Sequence, residues 1–305
     1  TPAEITCEAN PETADDEWLS AARETGITRL SVGVQTMDAE RARCIGRRVT
    51  RMEELIRIRR SWPGDLSVDL MIAVPGERVE GVCEELRLLS RLPVEHISVY
   101  DLSVEEGTPL AARLSVDQQS ISRDGWGDLC KVLKREGLER YEISNFAVPG
   151  HESRHNLGYW RAAPYLGFGP SAVSTLPTKG GAVRLTQPIE HDRYLDGHPI
   201  RDAEAETLGL PELVLEALML GLRTSEGISG ERFATRFGVG LEELFGPTIA
   251  RLTDDGLLVW GAGRLVPTTL GLDLHNRVMA RFTDDWDPKV HDVNCRRWNR
   301  NLDTG

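Results

Sequence analysis

The sequence predicts an α/β fold: a partial parallel (β/α) barrel followed by a small winged-helix-like domain. Two observations carry the first part. Short β-branched runs alternate with amphipathic stretches, and the runs begin at residues 4, 28, 66 and 95, leaving room for one helical unit between each pair. A third observation carries the second part: helical stretches after about Thr207 lead into two short strand-like runs joined by Gly261-Ala262-Gly263, a plausible hairpin turn.

The strands expected in the first half are Glu4–Glu8, Thr28–Val34, Leu66–Ile72 and Glu95–Leu102, with helices over Asp15–Glu24, Met52–Arg60 and Val79–Leu92. In the last helix Val82, Leu86 and Leu89 share a face at the 3.6-residue period. Strand–helix alternation implies parallel pairing with right-handed crossovers, and four units are too few to close a barrel. After about Gly107 the pattern gives way to a loop, EEGTPLAARL, then to a helix near Gln118–Glu136. The stretch from Arg140 to Ser174, rich in Gly, aromatic and polar residues, reads as a looped, site-forming connection, and Leu176–Pro199 reads as turn-rich. The second domain is expected as helices Pro211–Leu222, Gly230–Phe237 and Leu241–Asp255, a wing of Leu257–Trp260 and Arg264–Pro267, and a helix Leu270–Phe282. The expected boundaries are therefore 1–175, a connection 176–206, the winged-helix-like domain 207–282 and a polar tail 283–305.

Composition narrows the function classes. The formal charge of −12 argues against a broad polyanion-binding surface. No apolar run is long enough to span a membrane, and residues 1–11 lack the basic and apolar segments of a secretory signal. The opening has no Met and enters strand-like sequence almost at once, which reads as a chain cut inside a domain. The five cysteines (Cys7, Cys44, Cys83, Cys130 and Cys295) are scattered, as unpaired thiols in a reducing cytoplasm would be, and form no CxxC or CxxxCxxC motif.

In parallel α/β folds, sites gather at the carboxyl ends of strands. Glu8, Gln35, Asp69 and Asp101 lie at or near such ends, and Arg47 lies just beyond the second unit. A carboxylate there can accept hydrogen bonds from a ribose, a Gln can hold a hydroxyl or amine, and an Arg can pair with a carboxylate bidentately. Each is equally readable as a solvated strand end. Asp69 stands out because its run is otherwise apolar and a buried carboxylate needs partners. Gly167-Phe168-Gly169 reads either as a close backbone approach to a ligand or as a tight turn. His151 and His96 read as a loop residue and a strand opener.

The strings EITCEANP, TRLSVGVQTMD, IGRR, SVDLMIAVPG and HISVYDLSVEEGTP, in that order, resemble the middle strands of the radical S-adenosylmethionine domain in the HemW / oxygen-independent coproporphyrinogen oxidase family. YEISNFAVPGHESRHNLGYW followed by YLGFGPSAVS resembles that family's downstream signature. The resemblance covers about residues 1–175 and continues weakly beyond. It implies about four of the six strands of the radical S-adenosylmethionine barrel and a family-type C-terminal domain. It further implies that Glu8, Gln35, Arg47 and Asp69 contact S-adenosylmethionine. RHNLGYW is similar to the HNxxYW signature whose His is implicated in haem binding, so the resemblance makes His155 the candidate axial ligand and Tyr159 and Trp160 possible porphyrin flanks. From residue type alone, His155 is as readily a hydrogen-bonded loop histidine. In the family, three cysteines spaced CxxxCxxC hold a [4Fe–4S] cluster and a GGGTP-like loop supports the cofactor. Neither motif is in these 305 residues, so the cluster ligands are expected upstream of Thr1 and the chain alone is expected to be inactive.

Three functions follow as expectations. The first is a haem chaperone that delivers haem to a respiratory apoprotein, favoured by the RHNLGYW segment. The second is an oxygen-independent oxidase that decarboxylates coproporphyrinogen III. The third is a winged-helix nucleic-acid or structural module. The third is disfavoured because the candidate recognition helix carries Glu242, Glu243, Asp254 and Asp255 against Arg251.

Overall fold

The computed structural model describes residues 3–114, 125–197 and 203–286. The chain forms two units, Thr1–His155 and Asn156–Gly305. In the first, strands β1 (Thr6–Ala9), β2 (Arg29–Gln35), β3 (Asp65–Ile72) and β4 (His96–Asp101) lie parallel and side by side in chain order. Two short strands, Asn145–Ala147 and Glu139–Arg140, extend the sheet beyond β4 in the antiparallel sense. The sequence missed them because two- and three-residue runs are too short to show a period.

Alternation along the strands builds two unlike faces. Leu30, Val32 and Val34 of β2, Leu66, Val68, Leu70 and Ile72 of β3, and Ile97 and Val99 of β4 are buried in one core. That core includes Leu19 of helix Asp16–Glu24, Leu55 and Ile58 of Met52–Ser61, and Val82, Leu86 and Leu89 of Val79–Leu89. Each such apolar side chain contributes about 1.5–3 kcal/mol. A one-residue slip would expose a whole strand's set, so the apolar pattern fixes the register. Helix Asp16–Glu24 starts where Asp15 accepts the Trp18 N–H at 2.8 Å.

Several expectations need correction. A short helix, Ala39–Cys44, follows β2, where the charged sequence gave no apolar period. It is held instead by a buried ion pair between Arg41 and Glu85. The loop EEGTPLAARL contains a short helix, Pro109–Arg113, capped by the Thr108 hydroxyl. For the helix expected near Gln118–Glu136, residues 118–124 lie outside the described residues, and the rest forms Trp126–Arg135.

In the second unit the stretch read as turn-rich, Leu176–Pro199, contains the end of one strand, the whole of a second and a short helix, His191–Asp196. Val173–Thr178 and Gly181–Thr186 form an antiparallel hairpin around Lys179-Gly180, and Glu204–Leu208 adds a third strand. Pro177 lies on an edge strand, where its missing N–H costs little. The winged-helix-like part follows its expected order: helices Leu210–Gly221, Gly230–Phe237 and Leu241–Asp254, then strands Leu258–Gly261 and Arg264–Pro267. A short strand, Ile228–Ser229, makes the wing three-stranded. The last expected helix is divided at Leu274 into Thr269–Asp273 and His275–Asp284. Leu213, Leu218, Phe233, Phe237, Leu265 and Phe282 are among its buried core. The polar tail from residue 287 lies outside the described residues.

Candidate functional site

The face of the parallel sheet opposite its apolar core is polar, and the register sets its residues in rows. Glu8 pairs with Ser31, Ser31 with Ser67, and Ser67 with His96. In the next row Gly33 pairs with Asp69 and Asp69 with Ser98. Gln35 and Tyr100 stand beyond these rows, nearer the carboxyl ends of β2 and β4.

Asp69 is the fifth residue of β3, so it lies within the strand and not at its end. Both of its carboxylate oxygens accept from Ser31 Oγ, at 3.1 and 3.0 Å. Burial pushes its carboxyl above the ordinary value, hydrogen bonds from Ser98 and Ser31 pull the other way, and the nearby Glu8 adds to the rise. Gln35 is the last residue of β2 and takes a left-handed backbone conformation, φ 62°. Its Oε1 accepts from the Tyr100 hydroxyl at 2.8 Å. Gly33 makes room for this: a Cβ there would come within 3.0 Å of Gln35 Nε2. Burial, then Asp69, raises the Tyr100 phenol above its ordinary value, and Glu8 acts the same way. The Gln35 bond and the charge of Arg47 oppose the rise. Glu8, Gln35, Arg47 and Asp69 thus all act on one neighbourhood, and Tyr100 is its common member. Ser31 and Ser98 are not singled out by the sequence, and Tyr100 falls at a strand end to which it gives no cofactor role, although the period-2 rule applied to β2, β3 and β4 puts all three on the face of Asp69.

The donor set suits a nucleoside: carboxylates and an amide to accept from or donate to hydroxyls, and an exposed guanidinium for a carboxylate. Among the described residues, no group of three His, Cys, Asp or Glu side chains is placed to hold a metal ion. The scattered cysteines do not fit an iron–sulfur cluster.

RHNLGYW is a helix, Arg154–Trp160, and not the irregular connection expected. The carboxylate of Glu4, which precedes β1, accepts the backbone N–H of Arg154 at 3.1 Å and of His155 at 2.9 Å. It thereby satisfies donors at the helix start. His155 is exposed. Tyr159 meets Tyr165 edge-on, with ring centroids 4.7 Å apart, and the Arg223 guanidinium lies 4.4 Å from the centroid of the Trp160 ring. Both rings therefore pack against neighbours in the second unit. Gly167 sits where a Cβ would strike the Val173 carbonyl, and Gly169 donates its N–H to the Tyr194 hydroxyl at 3.0 Å. These contacts make the Gly-Phe-Gly a tight turn onto the hairpin.

His96 opens β4 and His151 lies in a loop, as the sequence reads them, and each makes specific side-chain contacts. His96 is buried between Ser67 Oγ (2.7 Å) and the Tyr141 hydroxyl (2.9 Å), and burial, aided by Arg29, holds its pKa well below the ordinary value. His151 Nδ1 lies 2.9 Å from Asp65 Oδ1, and its carbonyl accepts from buried Arg29 at 3.0 Å. These bonds tie the segment before Arg154 to the strand starts.

Residues 208–274 match the HemN C-terminal domain model. The chain is 33% identical over 296 residues to the heme chaperone HemW of Bacillus subtilis, covering 92% of this chain and 76% of that protein. It is 30% identical over 291 residues to HemW of Lactococcus lactis, with the same coverage. A mitochondrial radical S-adenosyl methionine domain-containing protein 1 of Danio rerio is 34% identical over 260 residues, 80% of this chain and 56% of that protein. The structure of coproporphyrinogen III oxidase, HemN, from Escherichia coli superposes with a TM-score of 0.75 at 17% identity, covering 92% of this chain and 69% of that one. It shows that the fold is that of a radical S-adenosylmethionine enzyme. Together with the identity to the two bacterial proteins, this places the chain in the HemW family of radical S-adenosylmethionine proteins.

Proposed function

We propose that this protein is a haem chaperone, which takes haem as cargo with His155 as axial ligand and passes it to a respiratory apoprotein. The observation that carries the reading is the exposed His155 in the first turn of a helix whose leading N–H groups are held by Glu4. An imidazole so presented is a suitable axial ligand for haem iron. The names of the HemW relatives support it. Tyr159, one helical turn on, offers a ring edge to the porphyrin, and Trp160 follows it.

In this reading S-adenosylmethionine lies on the polar face of the sheet. Glu8 and Asp69 accept from ribose hydroxyls, Gln35 holds a polar group of the nucleoside, and Arg47 pairs with the methionine carboxylate. When bound to a [4Fe–4S] cluster, that cofactor supplies one-electron chemistry, and this chain's own residues bind and orient it. The same reading assigns the carrier to the cytoplasm; among the described residues no helix is long and apolar enough to cross a membrane.

Titration of the purified chain with haem, followed in the Soret region, tests the assignment. Wild type is expected to give a saturable shifted band, and His155→Ala to lose at least tenfold in affinity. Equal affinity in the two proteins would remove His155 from the site.

A further inference from the structure

Within the matched C-terminal domain, residues 208–274, Arg223, Arg236 and Arg264 bind groups of their own chain, where a nucleic-acid-reading winged helix would present a basic stripe. Arg223, Glu226 and Arg236 meet Trp160, Arg161 and Ala162 in turn, all of them in the second unit. The Arg223 guanidinium faces the Trp160 ring that ends the RHNLGYW helix. Arg161 donates to one oxygen of Glu226 from Nη2 at 2.8 Å and from Nε at 3.3 Å. Its own N–H makes the last bond of the helix, to the Leu157 carbonyl at 3.0 Å. Arg236 donates to the Ala162 carbonyl at 3.4 Å.

Glu226 is held from behind. Its other oxygen accepts from Arg264 on the strand Arg264–Pro267 at 3.1 Å, and Arg264 also donates to the carbonyls of Glu226 at 3.0 Å and Gly227 at 3.1 Å. An isolated exposed ion pair contributes little, but here both carboxylate oxygens are engaged and one arginine also fixes the backbone that carries them. Burial works against the charge of Glu226, and the bond and charge of Arg161, with the charge of Arg264, hold its carboxyl below the ordinary value. Packing sets the rings only loosely. Tyr159 and Trp160 border an open cavity of about 730 Å³, together with Tyr165, Leu213, Leu220 and Arg236. A close-packed wall fixes a ring by shape; beside a cavity, directional contacts decide its orientation.

We propose that the C-terminal domain is the cradle of the RHNLGYW helix, with Arg223 and Glu226 as positioning residues: Arg223 holds the Trp160 ring, and Glu226, through Arg161, holds the end of the helix. The proposal rests on the haem-carrier reading for what the helix presents. The cradle itself is tested without haem, so the two can fail separately.

The test compares the full chain with its variants Arg223→Gln, Glu226→Gln and Arg223→Lys. Amide hydrogen exchange is read first. Peptides covering residues 156–162 are expected to exchange several-fold faster in both Gln variants, while those of helix Leu210–Gly221 keep the wild-type rate, which shows the domain still folded. Arg223→Lys keeps a cation over the ring and is expected to exchange like wild type. Haem is then titrated in the Soret region, and each Gln variant is expected to bind several-fold more weakly. In a Trp160→Leu background Arg223→Gln should weaken haem binding no further, because the ring it holds is gone. An equal loss in that background would overturn the role given to Arg223. Unchanged exchange of residues 156–162 in both Gln variants would overturn the whole proposal, whatever the haem titration shows. So would faster exchange spread throughout residues 208–274, which would make the two residues general stabilisers of the domain. Faster exchange confined to 156–162 with wild-type haem affinity would overturn the positioning role and leave local packing. If wild type itself takes up no haem, the carrier reading falls, and faster exchange confined to 156–162 still supports the cradle.

Discussion

Tyr100 on β4 donates its hydroxyl to Gln35 on β2 at 2.8 Å, spanning β3 between them. The bond fixes the amide of a residue whose backbone is already in the left-handed region, a conformation costing on the order of 1 kcal/mol for a non-glycine. Tyr100→Phe should therefore lower stability by about 1 kcal/mol and loosen the Gln35 side chain. Gln35→Gly loses the same bond but relieves the backbone, so it should be close to neutral in urea melts. If both positions serve the cofactor, both variants bind S-adenosylmethionine more weakly in calorimetry, although their stabilities diverge. Parallel changes in stability would contradict the strain argument.

Asp69 gives a pH test. Burial raises its carboxyl in the folded chain, so between the ordinary carboxylate value and the raised one the folded state keeps a proton that the unfolded chain has released. The stability it contributes is greatest below the ordinary value and declines as pH rises through the raised one. Asp69→Asn cannot ionise and should lack that decline. Chemical unfolding at about pH 4 and about pH 7 should show the variant gaining on wild type at the higher pH. A pH-independent difference would count against a raised pKa at this position.

The buried pair Arg41–Glu85 anchors the segment that follows Gln35. Glu85 also accepts from the Thr36 hydroxyl at 3.1 Å and from the Met37 N–H, while Arg41 reaches Glu77 at 3.4 Å. Glu85→Ala would leave a buried guanidinium without its closest partner, and a loss of about 3–5 kcal/mol is expected in urea unfolding. Replacing both residues, Arg41→Met with Glu85→Leu, should recover most of it, since an apolar pair pays no desolvation cost. A double variant as unstable as the single one would mean that the Glu85 bonds to Thr36 and Met37 dominate.

The parallel strands could be read from the sequence because Leu30, Val32 and Val34 sit in a β-branched run between turn signals, and the core repeats that pattern. The winged-helix-like helices were equally readable, since Leu213, Phe233 and Phe237 recur at helical spacing. The hairpin at 173–186 was not, because its prolines and glycines read as breakers when the sheet edge they occupy is unknown. Strand-end logic put Glu8 and Gln35 at or near the carboxyl ends of β1 and β2, where they lie, whereas Asp69 lies within β3, held by serine hydroxyls from β2 and β4. Partners set by strand register lie far apart in the chain, so the contacts of Ser31 with Asp69 and of Tyr100 with Gln35 became visible only once β2, β3 and β4 were aligned. The helical state of RHNLGYW depends on Glu4, about 150 residues upstream, a distance over which no local pattern carries information.

That contact supplies the last prediction. Glu4 accepts two N–H groups at the start of the helix that carries His155, and its negative charge is favoured at a helix N-terminus. Glu4→Gln keeps one acceptor but loses the charge, and Glu4→Ala loses both. The cost is expected to be about 0.5–2 kcal/mol, larger for Ala. If the helix presents the axial ligand, this loss should also appear in haem binding, as a several-fold weaker Soret titration for Glu4→Ala and a smaller loss for Glu4→Gln. In the His155→Ala background the same substitutions should change haem affinity no further, because the group they position is gone. Additive losses in that double-mutant cycle would mean that Glu4 acts on haem binding by a route other than His155.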